Sequence, residues 1–490
     1  MMRKAIKQES SVPIYQQIVD YFSRAIFSGQ FETEMRLPSI RKLSSDLGVS
    51  KITVENAYAR LEAEGLVGSR VGSGTFVLPI YDTQLIENTK DSPTWPVWQQ
   101  QPITSFQRTV QENAYPRAGD GLGEKDLVNF ASGIGDPNLF PVNDFGRVMQ
   151  RIIRREGVEG LSYGEFNGYL PLRKTICQIM ASSGMVISPD NILITTGSQQ
   201  AISLVAQALL KNGDNVIAEK NTYNGALGLF EALHVNPIGI AVDDKGMCVE
   251  HLEPLLQTYH PKLIYTIPTF HNPSGVCMSG SRRRMLVELS RRYNVPILED
   301  DYIGDLRYEG AALPPLKSID TGGNVMYVST FSKMLMPDLR IGFLVAMGPI
   351  YDRLVSLKCL NDLATPNLSQ RSLNAYLSVG SYQSHLRKLI RIYKKRRDVM
   401  VAAVTKFLGN KVTFQIPQGG LFLWLSLKQP LPSQELFKRC FEEGVSYVPG
   451  NRYMIDKTDD ERYVRLNFTY HPEDDIYKGI ERIGKVLDNF

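Results

Sequence analysis

The chain has 490 residues, 43% hydrophobic and 22% charged, a globular balance that excludes wholesale disorder in a chain too long for one ordinary domain. Its 55 Lys+Arg against 51 Asp+Glu leave +4, so any nucleic-acid binding must come from a local patch rather than from the whole surface. Five scattered cysteines with no C-x-x-C pair argue against a disulfide framework or a structural zinc. The start MMRKAIKQES lacks an apolar core, and no apolar run reaches the ~18 residues a membrane span needs, so a cytoplasmic protein is expected.

Residues 1–78 read as one small unit. Ile14, Ile18, Phe22, Ala25 and Ile26 make a helical stripe over 13–28. Leu37-Pro38-Ser39 opens a short helix that Ser39 can cap, with Arg41, Leu43 and Leu47 following. Gly48-Val49-Ser50 breaks the pattern, and 51–64 restores it through Val54, Ala57, Tyr58 and Leu61. Beyond Gly65, residues 66–77 read as two short strands around Gly72-Ser73-Gly74. Helix, helix, tight turn, helix and hairpin is the order of a winged helix-turn-helix.

Over 79–125 the periodicity fades, and Ser92-Pro93, Gln99 to Gln101 and Ala118-Gly119-Asp120-Gly121 predict a linker, partly docked through Trp95, Trp98 and Phe106. From 126 to 490 strand and helix alternate. Strands are predicted over 191–195, 215–219, 237–242, 262–267, 295–299, 325–329 and 341–346, with helices over 199–210, 226–234 and 282–293 among the gaps. That is an α/β domain with a mostly parallel sheet covered on both faces, followed by a smaller C-terminal α+β part with strands over 420–427 and 463–467. The basic run at Lys394-Lys395-Arg396-Arg397 reads as a solvated helix face.

Ligands of open α/β sheets sit beyond the carboxyl ends of the strands. There the chain places Gly197-Ser198-Gln199, a glycine turn opening a helix and suited to phosphate, then Tyr223, a ring able to stack. Asn272, Asp300 with Tyr302, Thr330 with Lys333, and Arg340 follow at later strand ends. Each alone has an ordinary explanation as a cap, a solvated charge or packing; the conjunction does not. A phosphate cradle, a stacking ring, an amide, a carboxylate, a phenol and a lysine match pyridoxal 5′-phosphate, which needs a lysine for its aldehyde and an acid facing its pyridine nitrogen. No metal site is indicated.

Tyr163-Gly164, Asn272-Pro273-Ser274-Gly275, Ser332-Lys333 with Arg340, Gln418-Gly419-Gly420-Leu421-Phe422 and Arg465-Leu466-Asn467-Phe468 give 126–490 a resemblance to the fold-type I aminotransferases. The resemblance implies that Lys333 carries the cofactor, with Asp300 and Tyr302 as catalytic partners. It also implies that Thr330, Ser198 and Arg340 hold the phosphate, that Tyr163 reaches the partner subunit's phosphate, and that Arg465 grips an amino acid's carboxylate. Residues 1–78 resemble the GntR-type winged helix through Leu37-Pro38-Ser39-Ile40-Arg41, Gly48-Val49-Ser50-Lys51-Ile52-Thr53-Val54 and Gly72-Ser73-Gly74-Thr75-Phe76-Val77. This implies DNA contacts by Arg41, Lys51 and Thr53, and a wing bearing Arg70, Gly72 and Ser73. The motif carries that reading, because 1–78 hold only 10 Lys+Arg against 8 Asp+Glu.

A GntR-type winged helix joined to an aminotransferase-like domain resembles the MocR/GabR group of regulators. It implies a homodimer on an operator in double-stranded DNA, responding to an amine or amino acid through the cofactor. A working aminotransferase and a regulator sensing the cofactor itself are the alternatives. Two positions depart from the group's pattern: the loop keeps Asn272, and Gly225 stands two residues after Tyr223 without a side chain for an effector's distal group.

Overall fold

The computed structural model describes residues 12–70, 72–78, 127–456 and 462–490; the predicted linker lies outside them. The chain forms two compact units.

The smaller unit follows the predicted order: α1 (Ile14–Phe27), α2 (Ile40–Leu47), α3 (Lys51–Ala63), β1 (Val67–Arg70) and β2 (Gly74–Val77). Its core is the apolar faces of the three helices, Ile18, Phe22, Leu43, Val54, Leu61 and their neighbours, closed by Val67 and Val77 of the hairpin. Both short helices start on a serine whose hydroxyl accepts an otherwise orphaned backbone N–H, Ser39 from Lys42 at 3.3 Å and Ser50 from Thr53 at 3.1 Å. Gly48 ends α2 in the left-handed region at φ 70°, which lets α3 leave at a sharp angle. The Tyr58 hydroxyl donates to the Pro38 carbonyl at 2.8 Å, tying α3 to the start of α2.

The first α-helix in the described part of the larger unit is α4 (Val142–Leu161), which kinks at Gly157. Its seven-stranded sheet comprises β3 (Ile192–Thr195), β4 (Asn215–Glu219), β5 (Asn236–Ile240), β6 (Leu263–Thr266), β7 (Ile297–Asp301), β8 (Val325–Thr330) and β9 (Gly342–Val345). Their spatial order is β3-β9-β8-β7-β6-β4-β5, parallel except that β9 runs against both neighbours. The inner strands are near-continuous apolar runs because helices cover both faces, among them α5 (Ser198–Leu209), α6 (Asn224–Ala232) and α7 (Gly280–Tyr293). The strand predicted over 237–242 ends two residues early. Residues 236–240 pair with β4, whereas Val242–Asp243 leaves the sheet edge to pair with Gly246–Met247.

Beyond the sheet come α8 (Asn367–Ser378) and the 28-residue α9 (Ser381–Leu408). A four-stranded sheet follows, with β10 (Val412–Phe414), β11 (Phe422–Leu427), β12 (Val448–Pro449) and β13 (Tyr463–Asn467) in the order β10-β11-β13-β12. The basic run on α9 corrects the sequence expectation. Arg396 is buried, donating to Asp136 at 2.8 Å and to the Thr469 carbonyl at 2.7 Å; Arg397 is buried against Glu309 and the Pro417 carbonyl, both at 2.7 Å. Helical period places 393, 396, 397 and 400 on the inward face, so half of the run is structural. Among the described residues no helix is long and apolar enough to cross a membrane.

Candidate cofactor and DNA-contact sites

The carboxyl ends of β3, β6, β7 and β8 converge with β13. Asp300 on β7 is almost wholly buried. Its Oδ2 accepts from the Tyr265 hydroxyl of β6 at 2.8 Å, while Oδ1 has no partner among the described residues. Burial above all pushes its pKa to about 7, against the opposing pull of the Tyr265 hydrogen bond. Lys333 follows β8, and its Nζ donates to the Gly133 carbonyl at 3.0 Å. Burial, then the Arg465 and Arg340 cations, draws its pKa down to about 8. A substantial fraction of the amine is therefore neutral and nucleophilic near physiological pH.

The turn after β3 is built for close approach. Gly197 sits at φ 85°, and a Cβ there would come within 2.6 Å of Arg340 Nη2. Arg340 Nη2 donates to the Thr196 carbonyl at 3.1 Å, so the guanidinium stands beside the N-terminus of α5, where Ser198 is the first residue. A cation and a helix start side by side form an anion cradle. The Thr330 hydroxyl is engaged locally, donating to the Ile341 carbonyl and accepting from Ser332 N, both at 3.1 Å. Ser332 Oγ, to which the sequence reading gave no role of its own, is buried without a partner among the described residues.

Arg465 of β13 is buried between the Phe422 ring, 3.9 Å from its guanidinium carbon, and the Tyr453 ring at 5.0 Å. It donates to Asn272 Oδ1 at 3.2 Å and to the Ala131 carbonyl at 3.1 Å. Two residues on, Asn467 Nδ2 donates to the Ser132 and Ile134 carbonyls, each at 2.8 Å, so β13 holds the segment whose Gly133 meets Lys333. The Tyr302 hydroxyl donates to the Phe270 carbonyl at 3.1 Å, beside Asn272. Tyr223 immediately precedes α6, its phenol pushed up to about 12 by burial and then by Asp300. A side chain at 225 would enter the space of the Tyr223 ring, which is the packing reason for Gly225. Gln199 Nε2 donates to the Gly225 carbonyl at 2.9 Å and links the cradle to this turn.

Beyond burial, Asp300, Arg340 and Arg465 lie close enough to shift the ionisation of Lys333 and Tyr223, and Arg465 and Asp300 that of Tyr302. Tyr163 stands apart within this chain, 86% exposed beside Tyr169 and Asn367. Tyr265, and a role for Ser332, were missed because a buried tyrosine in an apolar strand and a serine next to a lysine carry no periodic signal.

In the smaller unit Arg41 and Lys51 are exposed at the starts of α2 and α3. Thr53 shares a hydroxyl hydrogen bond with Ser50 at 2.8 Å. Ile52, which sequence reasoning did not single out, presents an apolar side chain 67% exposed in the same turn. Gly72 turns the hairpin at φ 76°, and Ser73 N donates to the Arg70 carbonyl at 2.9 Å. Arg70 itself is drawn to Glu34 at 2.6 Å and lies over the Phe76 ring.

Comparison with known proteins follows the same division. Residues 14–77 match the family of bacterial regulatory proteins of the gntR family, and 125–483 match aminotransferase class I and II. An uncharacterized HTH-type transcriptional regulator of Bacillus subtilis, YisV, is 32% identical over 97% of this chain and 96% of its own. The solved kynurenine aminotransferase of Pyrococcus horikoshii, in complex with PMP, is 33% identical with a TM-score of 0.74 over 81% of this chain and 97% of its own. LysN, an α-aminoadipate aminotransferase of Thermus thermophilus complexed with N-(5′-phosphopyridoxyl)-L-leucine, is 31% identical with a TM-score of 0.71 over 74% of this chain and 93% of its own.

Proposed function

Because the chain belongs to the HTH-type transcriptional regulators that join a GntR domain to a class I and II aminotransferase domain, we propose that it is a DNA-binding regulator controlled by pyridoxal 5′-phosphate and an amine or amino acid. One observation carries the cofactor half of this reading. A buried carboxylate oxygen, Asp300 Oδ1, lies without a partner in a site that also holds a partly neutral lysine and a guanidinium beside a helix start. The residues present fit that group: Asp300 would hold its pyridine nitrogen, and Arg340, Gly197, Ser198 and Ser332 would hold its phosphate. Thr330 is assigned to orienting Ser332 rather than to direct contact. Lys333 would hold the aldehyde, Asn272 and Tyr302 would face the ring oxygen, and Tyr223 would lie against the ring.

When bound, the cofactor supplies an electron sink for an amino acid's α-carbon. The chain's own residues bind and orient that ligand. Arg465, pressed between Phe422 and Tyr453, presents its fork to the α-carboxylate, which replaces its weaker contacts to Asn272 and the Ala131 carbonyl. Lys333, its amine partly neutral near physiological pH, would serve as the base toward the ligand's α-carbon. Two-fold pairing brings the exposed Tyr163 of a second copy toward the cradle and sets two winged helices on paired half-sites. On DNA, the first turn of α3 enters the major groove, with Lys51 and Thr53 on phosphate or base edges and Ile52 against a thymine methyl; Arg41 adds a backbone contact. Gly72 and Ser73 carry the wing toward the minor groove, while Arg70 braces its base through Glu34.

The test is operator binding by the purified protein with and without cofactor and a panel of amines and amino acids. A ligand controls the protein only through different affinities for two arrangements, so DNA affinity must change with occupancy. Affinity unchanged by cofactor and by every amine rejects the coupling. A response to cofactor alone selects the sensor of the cofactor itself. Steady transamination supports the enzyme reading, which is favoured by the complete set of Lys333, Asp300, Asn272 and Arg465 in one site.

A further inference from the structure

We propose that the larger unit carries a second DNA-contacting surface, an arginine stripe on α4 that holds duplex phosphates irrespective of base sequence. This rests on the reading of the chain as a DNA-binding regulator and adds a contact outside the winged helix. Arg147, Arg151, Arg154 and Arg155 recur at i, i+4, i+7 and i+8, the spacing that keeps side chains on one face of a helix. All four are exposed, and with Gln150 they line an open concavity of about 490 Å3. They do not serve packing: α4 docks through Phe145 and Ile152, which are buried, with the Phe145 ring 5.8 Å from that of Tyr376 on α8.

The stripe is only partly neutralised. Arg147 pairs with Asp144 at 2.5 Å and Arg155 with Glu156 at 3.3 Å, both on the same helix. Arg147 and Asp144 are both exposed, and such solvent-exposed pairs contribute only ~0–1 kcal/mol, so Arg147 opens for a better partner; Arg155 is about three-quarters exposed and shares its largely buried Glu156 with Arg371. Among the described residues Arg151 and Arg154 make no ion pair. Over 142–156 four arginines face two carboxylates, Asp144 and Glu156, and none of the four cations is a lysine. The guanidinium fork suits phosphate oxygens bidentately.

Length matches as well. From Arg147 to Arg155 the helix rises ~12 Å at ~1.5 Å per residue. That spans about three to four phosphates of one DNA strand at ~3.4 Å each. The winged-helix unit needs such help, since its 10 cations exceed its 8 anions by only two and counterion release scales with phosphates neutralised.

The experiment measures binding of the full-length, cofactor-loaded protein to a random-sequence duplex several helical turns long, across a salt series. Arg151→Gln with Arg154→Gln should weaken binding about tenfold at low salt and reduce the slope of log affinity against log salt by about 2, at ~0.9 per phosphate. Cofactor absorbance and melting temperature should match the parent, as expected for exposed side chains. Arg41→Ala with Lys51→Ala serves as the comparison, weakening operator binding while leaving the stripe's share of the slope. If the glutamine variant keeps the parent's affinity and slope while the Arg41/Lys51 variant loses operator binding, the stripe is overturned and the regulator reading stands. If the parent binds neither operator nor random duplex, the regulator reading falls and the stripe with it.

Discussion

In the smaller unit the candidate contact residues Arg41, Lys51 and Ile52 stand at the surface on helix starts, and the core beneath them contains none of them. In the larger unit Asp300, Asn272 and Arg465 are withdrawn from water among apolar walls, and the fold leaves a buried oxygen and a buried guanidinium nitrogen without partners. The difference follows from the ligands. A duplex brings its own charge and geometry to a surface, so its reader needs rigid positions and little else. A small cofactor must be gripped in a low-dielectric site where each charge is worth more and each unpaired group costs more. Function and stability are therefore separable in the first unit and entangled in the second.

The strongest way to break that comparison is Lys333→Ala. It should abolish the visible absorbance of lysine-bound cofactor completely while circular dichroism stays that of a folded chain; retained absorbance would remove Lys333 from its role. Next in size is Arg465→Ala. Truncating a buried, hydrogen-bonded cation should cost about 2–5 kcal/mol in amino-acid affinity, thirtyfold or more, measured as the spectral response of the loaded protein. A response equal to the parent's would place the carboxylate elsewhere.

Arg41→Ala with Lys51→Ala should lower operator affinity by roughly tenfold to a hundredfold and flatten its salt slope by up to ~2, with cofactor absorbance unchanged. A changed spectrum would show that the two units are not separable in this way. The pH dependence comes next. The pKa of Lys333 is drawn down to about 8, so the neutral amine is lost as pH falls through that value. Reconstitution of the cofactor-free protein should slow about tenfold per pH unit below 8 and level off above it. A flat profile between pH 6 and pH 8, read by stopped-flow absorbance, would contradict a lysine that must be neutral to react. The smallest effect is expected from Ser50→Ala, which removes the cap of α3 and should cost ~1 kcal/mol of the smaller unit's stability, read by denaturant unfolding.

The order of elements was legible in the sequence almost throughout, because helices with one apolar stripe and strands buried on both faces leave strong periodic signals. Ser39 and Ser50 were readable as helix starts, and the motifs after β7 and β8 as chemistry. Three features escaped for one shared reason. Tyr265 looks like core until Asp300 is found opposite it, and Ser332 looks incidental until Thr330 is seen bonded to Ile341. The 394–397 run looks solvated until Asp136 and Glu309 arrive from elsewhere in the chain.

By itself, then, the sequence determined two units, their element types and the set of side chains available at the strand ends. Those are local properties, written in periodicity, turn residues and short motifs. Only the tertiary structure decided which of those side chains are unsatisfied, how far burial moves their ionisation, and which basic run is structural and which faces water. Each of these depends on partners brought together from distant positions, as Arg465 and Asn272 are, and on the solvent that packing excludes. Composition and spacing carry neither.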